Sequence, residues 1–261
     1  TIMSLLMIGC GKMGGALLEQ WITKTQHAIT IITPSMQPAP ANVTQLPSIE
    51  GIKGNTFDII VIAIKPQLIK TVLPAYRSYL AEGGCIVSIA AGYSIASIEK
   101  LIGPQPIIRI MPNLPAKIGR GVSALYINSH CTQAHAAAAQ ELTDAAGHTL
   151  AVDSEDAIDK VTAVAGSGPG YAFEIARCWM SAAQNLGFSA QESRELVLNT
   201  MIGSIEMALQ SDQSMDELRN SVTSKAGTTE AGLKALNNDG QLTELLNSTI
   251  GAAYNRAVEL R

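Results

Sequence analysis

Gly9-Cys10-Gly11-Lys12-Met13-Gly14 follows directly on the largely apolar run Met3–Ile8 and leads straight into Gly15–Trp21, which has the composition of a helix. A GxGxxG pattern alone is a weak signal. Placed between a buried strand and a helix, it is the arrangement that a dinucleotide site requires. The glycines permit a tight turn and let backbone N–H groups approach a pyrophosphate at the helix N-terminus. This one stretch constrains the chain more than any other, because a strand, glycine turn and helix in that order open a parallel α/β sheet.

The second strand is predicted at Ala28–Thr33. A cofactor with a free ribose 2′-hydroxyl usually meets an Asp or Glu about 20 residues after the glycines. Thr33-Pro34-Ser35 occupies that place, with no acid. Nothing there repels a 2′-phosphate, so NADP(H) is favoured, with NAD(H) left open. The next basic residue is Lys53, so hydroxyls and backbone amides are expected to hold such a phosphate.

Pro34–Gly54 is rich in Pro, Ser, Asn and Gln and reads as loop around one short helix. Asp58–Ile64 is apolar after its first residue, as in a strand covered on both faces, and Lys65-Pro66 closes it. Residues that follow such a strand lie beside the cofactor crevice. Lys65 either neutralises phosphate or is solvated while its backbone lines the crevice. A helix is predicted over Gln67–Tyr79, interrupted at Pro74, which lacks the N–H a helix interior uses. Strands follow at Cys85–Ala90 and Pro106–Met111, with Ser94 as N-cap of a helix between them. Asn113 stands between Pro112 and Pro115, either orienting a ligand amide or capping a turn. Gly121–Asn128 reads as strand, Gln133–Ala146 as helix and Thr149–Val152 as a last edge strand. Strands alternating with helices predict a parallel, doubly wound sheet.

Near Glu155 the pattern changes. From there to Arg261 the spacing is helical, with one strong break at Gly166–Gly170. The predicted helices are Tyr171–Leu186, Ala190–Gln210, Met215–Thr223, Thr228–Asn237 and Leu242–Leu260. The helix carrying Leu196, Leu198, Met201, Ile202, Ile205, Met207 and Leu209 is apolar on more than one face, which calls for a second copy of the chain to cover it. The expected organisation is therefore an N-terminal Rossmann-type domain at 1–154 and an all-helical dimerisation domain at 155–261.

Composition excludes several classes. Net charge is −4 with no basic run, which argues against nucleic acid. The four cysteines lie far apart without a CxxC pair, against a structural metal and in favour of a reducing, cytoplasmic setting. No apolar run reaches the ~18 residues of a membrane span.

The most specific chemistry sits late in the chain. Ser221–Leu236 reads SVTSKAGTTEAGLKAL, a small-residue turn with hydroxyls feeding a helix. Free N–H groups at a helix start, beside two or three hydroxyls, make a receptor for a carboxylate or phosphate, although the same pattern also fits an ordinary capped helix. No His cluster, Ser/His/Asp set or carboxylate pair stands out, and Lys160 is the one candidate general acid. A cofactor crevice and an acid receptor without a strong base suit hydride transfer to an already electrophilic C=N bond, whereas a ketone generally needs an acid to polarise it.

These residues resemble pyrroline-5-carboxylate reductases over essentially the whole chain. The resemblance rests on GCGKMG at 9–14, AIKP at 63–66, SIAAGYSI at 88–95, RIMPNLPAKIGRGV at 109–122, AGSGPGYAFEI at 165–175 and, most specifically, VTSKAGTTEAGL at 222–233. It implies reduction of the cyclic imino acid 1-pyrroline-5-carboxylate to L-proline with NAD(P)H, the last step of proline biosynthesis. It also implies a dimer through the C-terminal helices, sometimes assembled further. Carried over by position, Ser224, Gly227, Thr228 and Thr229 would hold the substrate carboxylate, with Thr229 also acting catalytically near the ring nitrogen. Gly9, Cys10, Gly11, Lys12, Met13 and Gly14 would take the pyrophosphate, and Thr33 and Ser35 the adenosine ribose. Ala63, Ile64, Lys65 and Pro66, with Ala90 and Asn113, would face the nicotinamide.

The chain departs from the family pattern at Leu114, where Thr is frequent, and at Ala165 and Gly170, which replace Ser and Ala. It departs again at Lys225-Ala226, which replaces Pro-Gly and strains the loop if that position needs a positive φ. The rival readings are a hydroxyacid-dehydrogenase-type reductase, which would depend on Lys160, and a dinucleotide-sensing module without turnover.

Overall fold

Leu5 and Leu6 are both fully buried, yet they belong to different cores, as do Val61 and Ile62. Successive strand residues point to opposite faces. Strands that are apolar at every position are therefore what a sheet covered on both sides demands, and this architecture is seen in the computed structural model, which describes residues 1–35 and 38–261. Met36 and Gln37, within the predicted loop Pro34–Gly54, lie outside the described residues.

The chain opens with β1 (Ser4–Ile8), α1 (Lys12–Lys24), β2 (Ala28–Ile32) and β3 (Val43–Leu46). A 3₁₀ turn at Ile49–Ile52 leads to β4 (Phe57–Ile62) and α2 (Pro66–Val72). Then come β5 (Leu80–Ser88), α3 (Ile95–Ile102), β6 (Ile107–Met111), β7 (Gly121–Ile127), α4 (Gln133–Asp144) and β8 (Gly147–Ala151). Helices α5 (Glu155–Val161), α6 (Gly168–Asn185), α7 (Ala190–Leu209), α8 (Met215–Ser221), α9 (Thr228–Leu236) and α10 (Gln241–Glu259) complete it.

The eight strands form one sheet in the order β3-β2-β1-β4-β5-β6-β7-β8. The order reverses between β1 and β4, the point at which doubly wound sheets open a crevice. The predicted all-parallel sheet is corrected at one place. β7 runs antiparallel to β6, with Ile108 opposite Ile127 and Met111 opposite Ala124. The link between them holds only a 3₁₀ turn at Leu114–Ile118 and the left-handed Gly119, which is too short for the crossover helix that a parallel neighbour requires.

β3 and the start of β5 also depart from the prediction, by more than the one or two residues seen at other strand ends. β3 pairs with β2 inside the segment read as loop; four residues of mixed polarity leave no periodic signal. β5 starts at Leu80 rather than Cys85, because Gly83 and Gly84 read as a turn while the strand passes through them with an irregular register. The interruption predicted at Pro74 is present, as α2 gives way to 3₁₀ turns over Leu73–Tyr79. The break predicted at Gly166–Gly170 is narrower than expected. A π-helical stretch spans Thr162–Gly166, and α6 already begins at Gly168.

The chain forms two compact units, one of Thr1–Pro169 with Ala253–Arg261 and one of Gly170–Ala252. In the first, a returning segment is tied down by polar contacts. The Tyr254 hydroxyl donates to Asp156 Oδ1 at 2.6 Å, and Arg261 donates to Asp156 and to Asp159, each at 2.6 Å. Gly92, at φ +69°, lies so close to Leu260 that a Cβ would sit 2.9 Å from its carbonyl oxygen. The second unit is short of core. α7 buries only Ser193 and Val197, and α8 and α9 bury nothing. Among the described residues no helix is long and apolar enough to cross a membrane.

Candidate active site

The parallel direction of β1, β2, β4, β5 and β6 puts their carboxyl ends on one edge of the sheet. Every cofactor residue predicted from the sequence follows one of those ends. Gly9–Gly14 leave β1, Thr33 and Ser35 leave β2, Ala63–Pro66 leave β4, Ala90 follows β5 and Asn113 follows β6.

At the centre, the Gly9 N–H donates to the Ile32 carbonyl at 2.8 Å and the Ala63 N–H to the Ile8 carbonyl at 3.0 Å. The glycine turn is thereby pinned against the end of β4. Gly9 has φ +78°, and a Cβ there would stand 2.5 Å from Ile64 Cγ2. Only glycine satisfies both conditions. A Cβ on Gly14 would meet Ala63 Cβ at 3.3 Å, so this glycine lets α1 close on the sheet, while Gly11 faces open space. Gly11 caps α1 without a side-chain hydrogen bond, which leaves the first N–H groups of the helix, at Lys12, Met13 and Gly14, for an anion. The residues present therefore fit a dinucleotide pyrophosphate: an open glycine face, a close-packed turn and unpaired donors.

Other predicted residues take more specific roles. Lys65 is exposed and caps α2, with Pro66 at the first helical position. Ala90 is buried, and its N–H donates to Ser88 Oγ at 3.3 Å. Asn113 is buried and held at both ends: Nδ2 donates to the Ala165 carbonyl at 2.9 Å, and Oδ1 accepts the Val122 N–H at 2.8 Å. Thr33 and Ser35 line a cleft at the end of β2 together with Cys10 and Glu19, and burial pushes the Cys10 thiol pKa up.

The predicted substrate residues lie in the second unit, at the start of α9. Gly227 caps this helix without a side-chain hydrogen bond, so no capping side chain takes up the N–H groups of its first turn. A turn precedes it, in which the Gly227 N–H donates to the Ser224 carbonyl at 3.0 Å. A Cβ on Gly227 would fall 2.3 Å from Ser224 Oγ, so glycine is what allows this hydroxyl beside the helix start. Ala226 has φ +57°. This is the left-handed conformation whose strain the Lys225-Ala226 departure raised. Among the described residues, no hydrogen bond occupies the hydroxyls of Ser224, Thr228 or Thr229. Three hydroxyls without a partner among the described residues therefore stand beside uncapped amides, an arrangement whose chemistry suits an acid group.

Four polar residues were not singled out from the sequence: Glu230, Arg109, Glu155 and Glu19. Glu230 accepts the Ala226 N–H and also faces Lys234 at 3.5 Å, so it locks the loop from within the helix. Its place three residues after Gly227 is capping-box spacing, the signal that could have found it. The buried Arg109 donates to Glu155 at 2.9 Å, and the same carboxylate accepts the Ile95 N–H at 3.0 Å. Nothing in the sequence pairs residues so far apart. Glu19 enters the β2 cleft from α1, where no spacing rule from the glycines looks for an acid. Lys160 pairs with Asp156 at 3.1 Å, and that hydrogen bond raises its pKa. A general acid near neutral pH needs the opposite shift.

With that geometry established, comparison with known proteins gives a consistent result. Residues 155–260 match the family model described as pyrroline-5-carboxylate reductase dimerisation, and residues 4–92 match one described as NADP oxidoreductase, coenzyme F420-dependent. The chain is 41% identical over 204 residues to pyrroline-5-carboxylate reductase of Pseudomonas aeruginosa, covering 78% of this chain and 74% of that protein. It is 31% identical to pyrroline-5-carboxylate reductase 2 of Bacillus subtilis, over 97% and 94% of the two chains. Its fold is similar to the pyrroline-5-carboxylate reductase of Coxiella burnetii, with TM-score 0.92, 32% identity and coverage of 100% and 99%. A Plasmodium falciparum pyrroline carboxylate reductase with NADP bound gives TM-score 0.86 at 26% identity, over 99% and 98%. With a glycine turn packed under β4, free hydroxyls at the start of α9 and relatives at 31–41% identity that span most or nearly all of the sequence, this chain belongs to the pyrroline-5-carboxylate reductase family.

Proposed function

We propose that the chain reduces 1-pyrroline-5-carboxylate to L-proline, with NADP(H) preferred and NAD(H) accepted. The observation that carries this reading is the start of α9, where free hydroxyls of Ser224, Thr228 and Thr229 stand beside uncapped N–H groups. These groups bind the carboxylate of the imino acid, and the Thr229 hydroxyl orients the ring nitrogen or relays its proton. The bound cofactor supplies the hydride. The Lys12, Met13 and Gly14 amides hold the pyrophosphate, Thr33 and Ser35 the adenosine ribose, and Ala63–Pro66, Ala90 and Asn113 shape the nicotinamide side. Because a protonated C=N bond is already electrophilic, the reaction requires orientation more than an acid from the protein. We assign cofactor binding to residues 1–154, and substrate binding and homodimer formation to 155–261. The four cysteines are unpaired, which suits a reducing cytoplasm.

The test is oxidation of NADPH by the purified chain on addition of pyrroline-5-carboxylate. The expected result is substrate-dependent loss of NADPH with proline as product, kept in Lys160→Ala. No rate at any pH tried, or a rate abolished by Lys160→Ala, would overturn the proposal.

A further inference from the structure

A cleft of about 210 Å³ opens at the carboxyl end of β2, with Cys10, Glu19, Thr33 and Ser35 in its wall. Glu19 makes no ion pair among the described residues, and burial raises the pKa of the Cys10 thiol in the same cleft wall. Among the described residues the cleft wall contains no Lys or Arg, and the sequence has none between Lys24 and Lys53. Its polar wall on the β2 side consists of the Thr33 and Ser35 hydroxyls, which lie 3.5 Å apart. An anion entering this cleft meets hydroxyls, the neutral Gln45 side chain and one carboxylate.

We infer that Glu19 is a specificity-determining residue for the cofactor, penalising the ribose 2′-phosphate that Thr33 and Ser35 would otherwise favour. This inference rests on the proposed binding of NADP(H) in the β1–β4 crevice. It goes beyond that reading in predicting that discrimination against NAD(H) is shallow here. A neutral ribose 2′-hydroxyl can donate a hydrogen bond to a carboxylate, whereas a phosphate dianion can only be repelled by it. At a solvated surface the repulsion between a carboxylate and a phosphate dianion is modest. Its expected effect is roughly three- to tenfold in relative affinity.

The sign of the salt dependence separates this device from the usual one. A 2′-phosphate held by Arg or Lys loses affinity as salt screens the attraction. A 2′-phosphate held by hydroxyls against Glu19 gains affinity, because the screened term is repulsive.

The experiment compares binding of adenosine 2′,5′-bisphosphate and 5′-AMP to the purified protein by calorimetry, at low and at near-physiological ionic strength, in wild type and Glu19→Gln. Turnover is not needed, so failure of the proposed reaction leaves this test intact. The expected result is a bisphosphate-to-AMP affinity ratio that rises with salt in wild type. In Glu19→Gln the ratio should be roughly three- to tenfold higher at low salt and should lose that rise. The ratio of kcat/KM for NADPH over NADH should move the same way. A wild-type ratio that falls with salt, a ratio unchanged in Glu19→Gln, or failure of both nucleotides to bind would overturn the assignment.

Discussion

Thr229 Oγ1 has no hydrogen-bond partner among the described residues, at the first turn of a helix whose amides also lack caps. Such a group is free to act on a ligand. Replacing it by valine keeps the shape and removes the hydroxyl, so Thr229→Val is expected to lower kcat/KM for pyrroline-5-carboxylate by about 10- to 100-fold. This is the worth of a hydrogen bond to a charged group. The Kd for NADPH, read by fluorescence, should not change. Equal kcat/KM in both proteins would remove Thr229 from the mechanism. At this scale the sequence was most informative where backbone geometry dictates residue type. Gly9 needs both a positive φ and the absence of a Cβ, and Gly227 needs room for Ser224 Oγ; both were legible as glycines in a motif. Ala226 was legible as a conditional strain, and its φ of +57° meets the condition. Glu19 was not legible, because it reaches the cleft across the face of α1, whereas the spacing rule follows the chain along β2. The fate of Asn113 depended on Val122 and Ala165, which no local pattern associates with it.

Asp156 is the hub of an element-level clasp: α5 presents it to Tyr254 and Arg261 of the returning segment, with Lys160 one turn away. The Tyr254 hydrogen bond, followed by those from Lys160 and Arg261, lowers its pKa from 3.8 to about 2. A carboxylate depressed in the folded state contributes stability that is fully present above its unfolded value. That contribution is lost as pH falls through the folded one. The segment Ala253–Arg261 is therefore expected to loosen between about pH 4 and pH 2, seen as faster amide hydrogen exchange there. In Asp156→Asn the segment should already be loose at neutral pH and show no further change across that window. A wild-type segment equally protected at both ends of the window would contradict this role. Elements were legible in the sequence where burial forces a repeating pattern, as in β1, β4, α3 and α4. β3 was hidden because four residues at a sheet edge carry too little apolar content. The reversal of β7 was hidden because strand direction depends on the length and path of a connection, not on the strand's own composition.

For the whole molecule, the second unit is the unfinished part. Ile202, Ile205, Met207 and Leu209 are each more than half exposed on α7, and α8 and α9 contribute no buried side chain. Apolar surface of that extent is costly to leave in water. The mass by light scattering is therefore expected to be at least twice 27.5 kDa. Ile205→Glu should shift it toward the monomer and lower the unfolding midpoint, since it places a charge in the covered face. A wild-type monomer at micromolar concentration would refute this assembly. The exposed apolar surface of α7 was visible in the sequence as a helix apolar on several sides. The return of residues 253–261 to the first unit was not, because α10 reads as one uninterrupted helix whichever neighbours each half has.

That return has a consequence for biosynthesis. Gly92, Asp156 and Asp159 emerge from the ribosome well before Leu260 and Arg261, with all of residues 170–252 still to be translated. The nucleotide crevice can therefore take shape early, but its own unit remains open at one patch until synthesis has passed through the other. A nascent chain stalled in that interval would display Asp159 still without the Arg261 guanidinium, and its maturation cannot proceed as two successive, independent folding events.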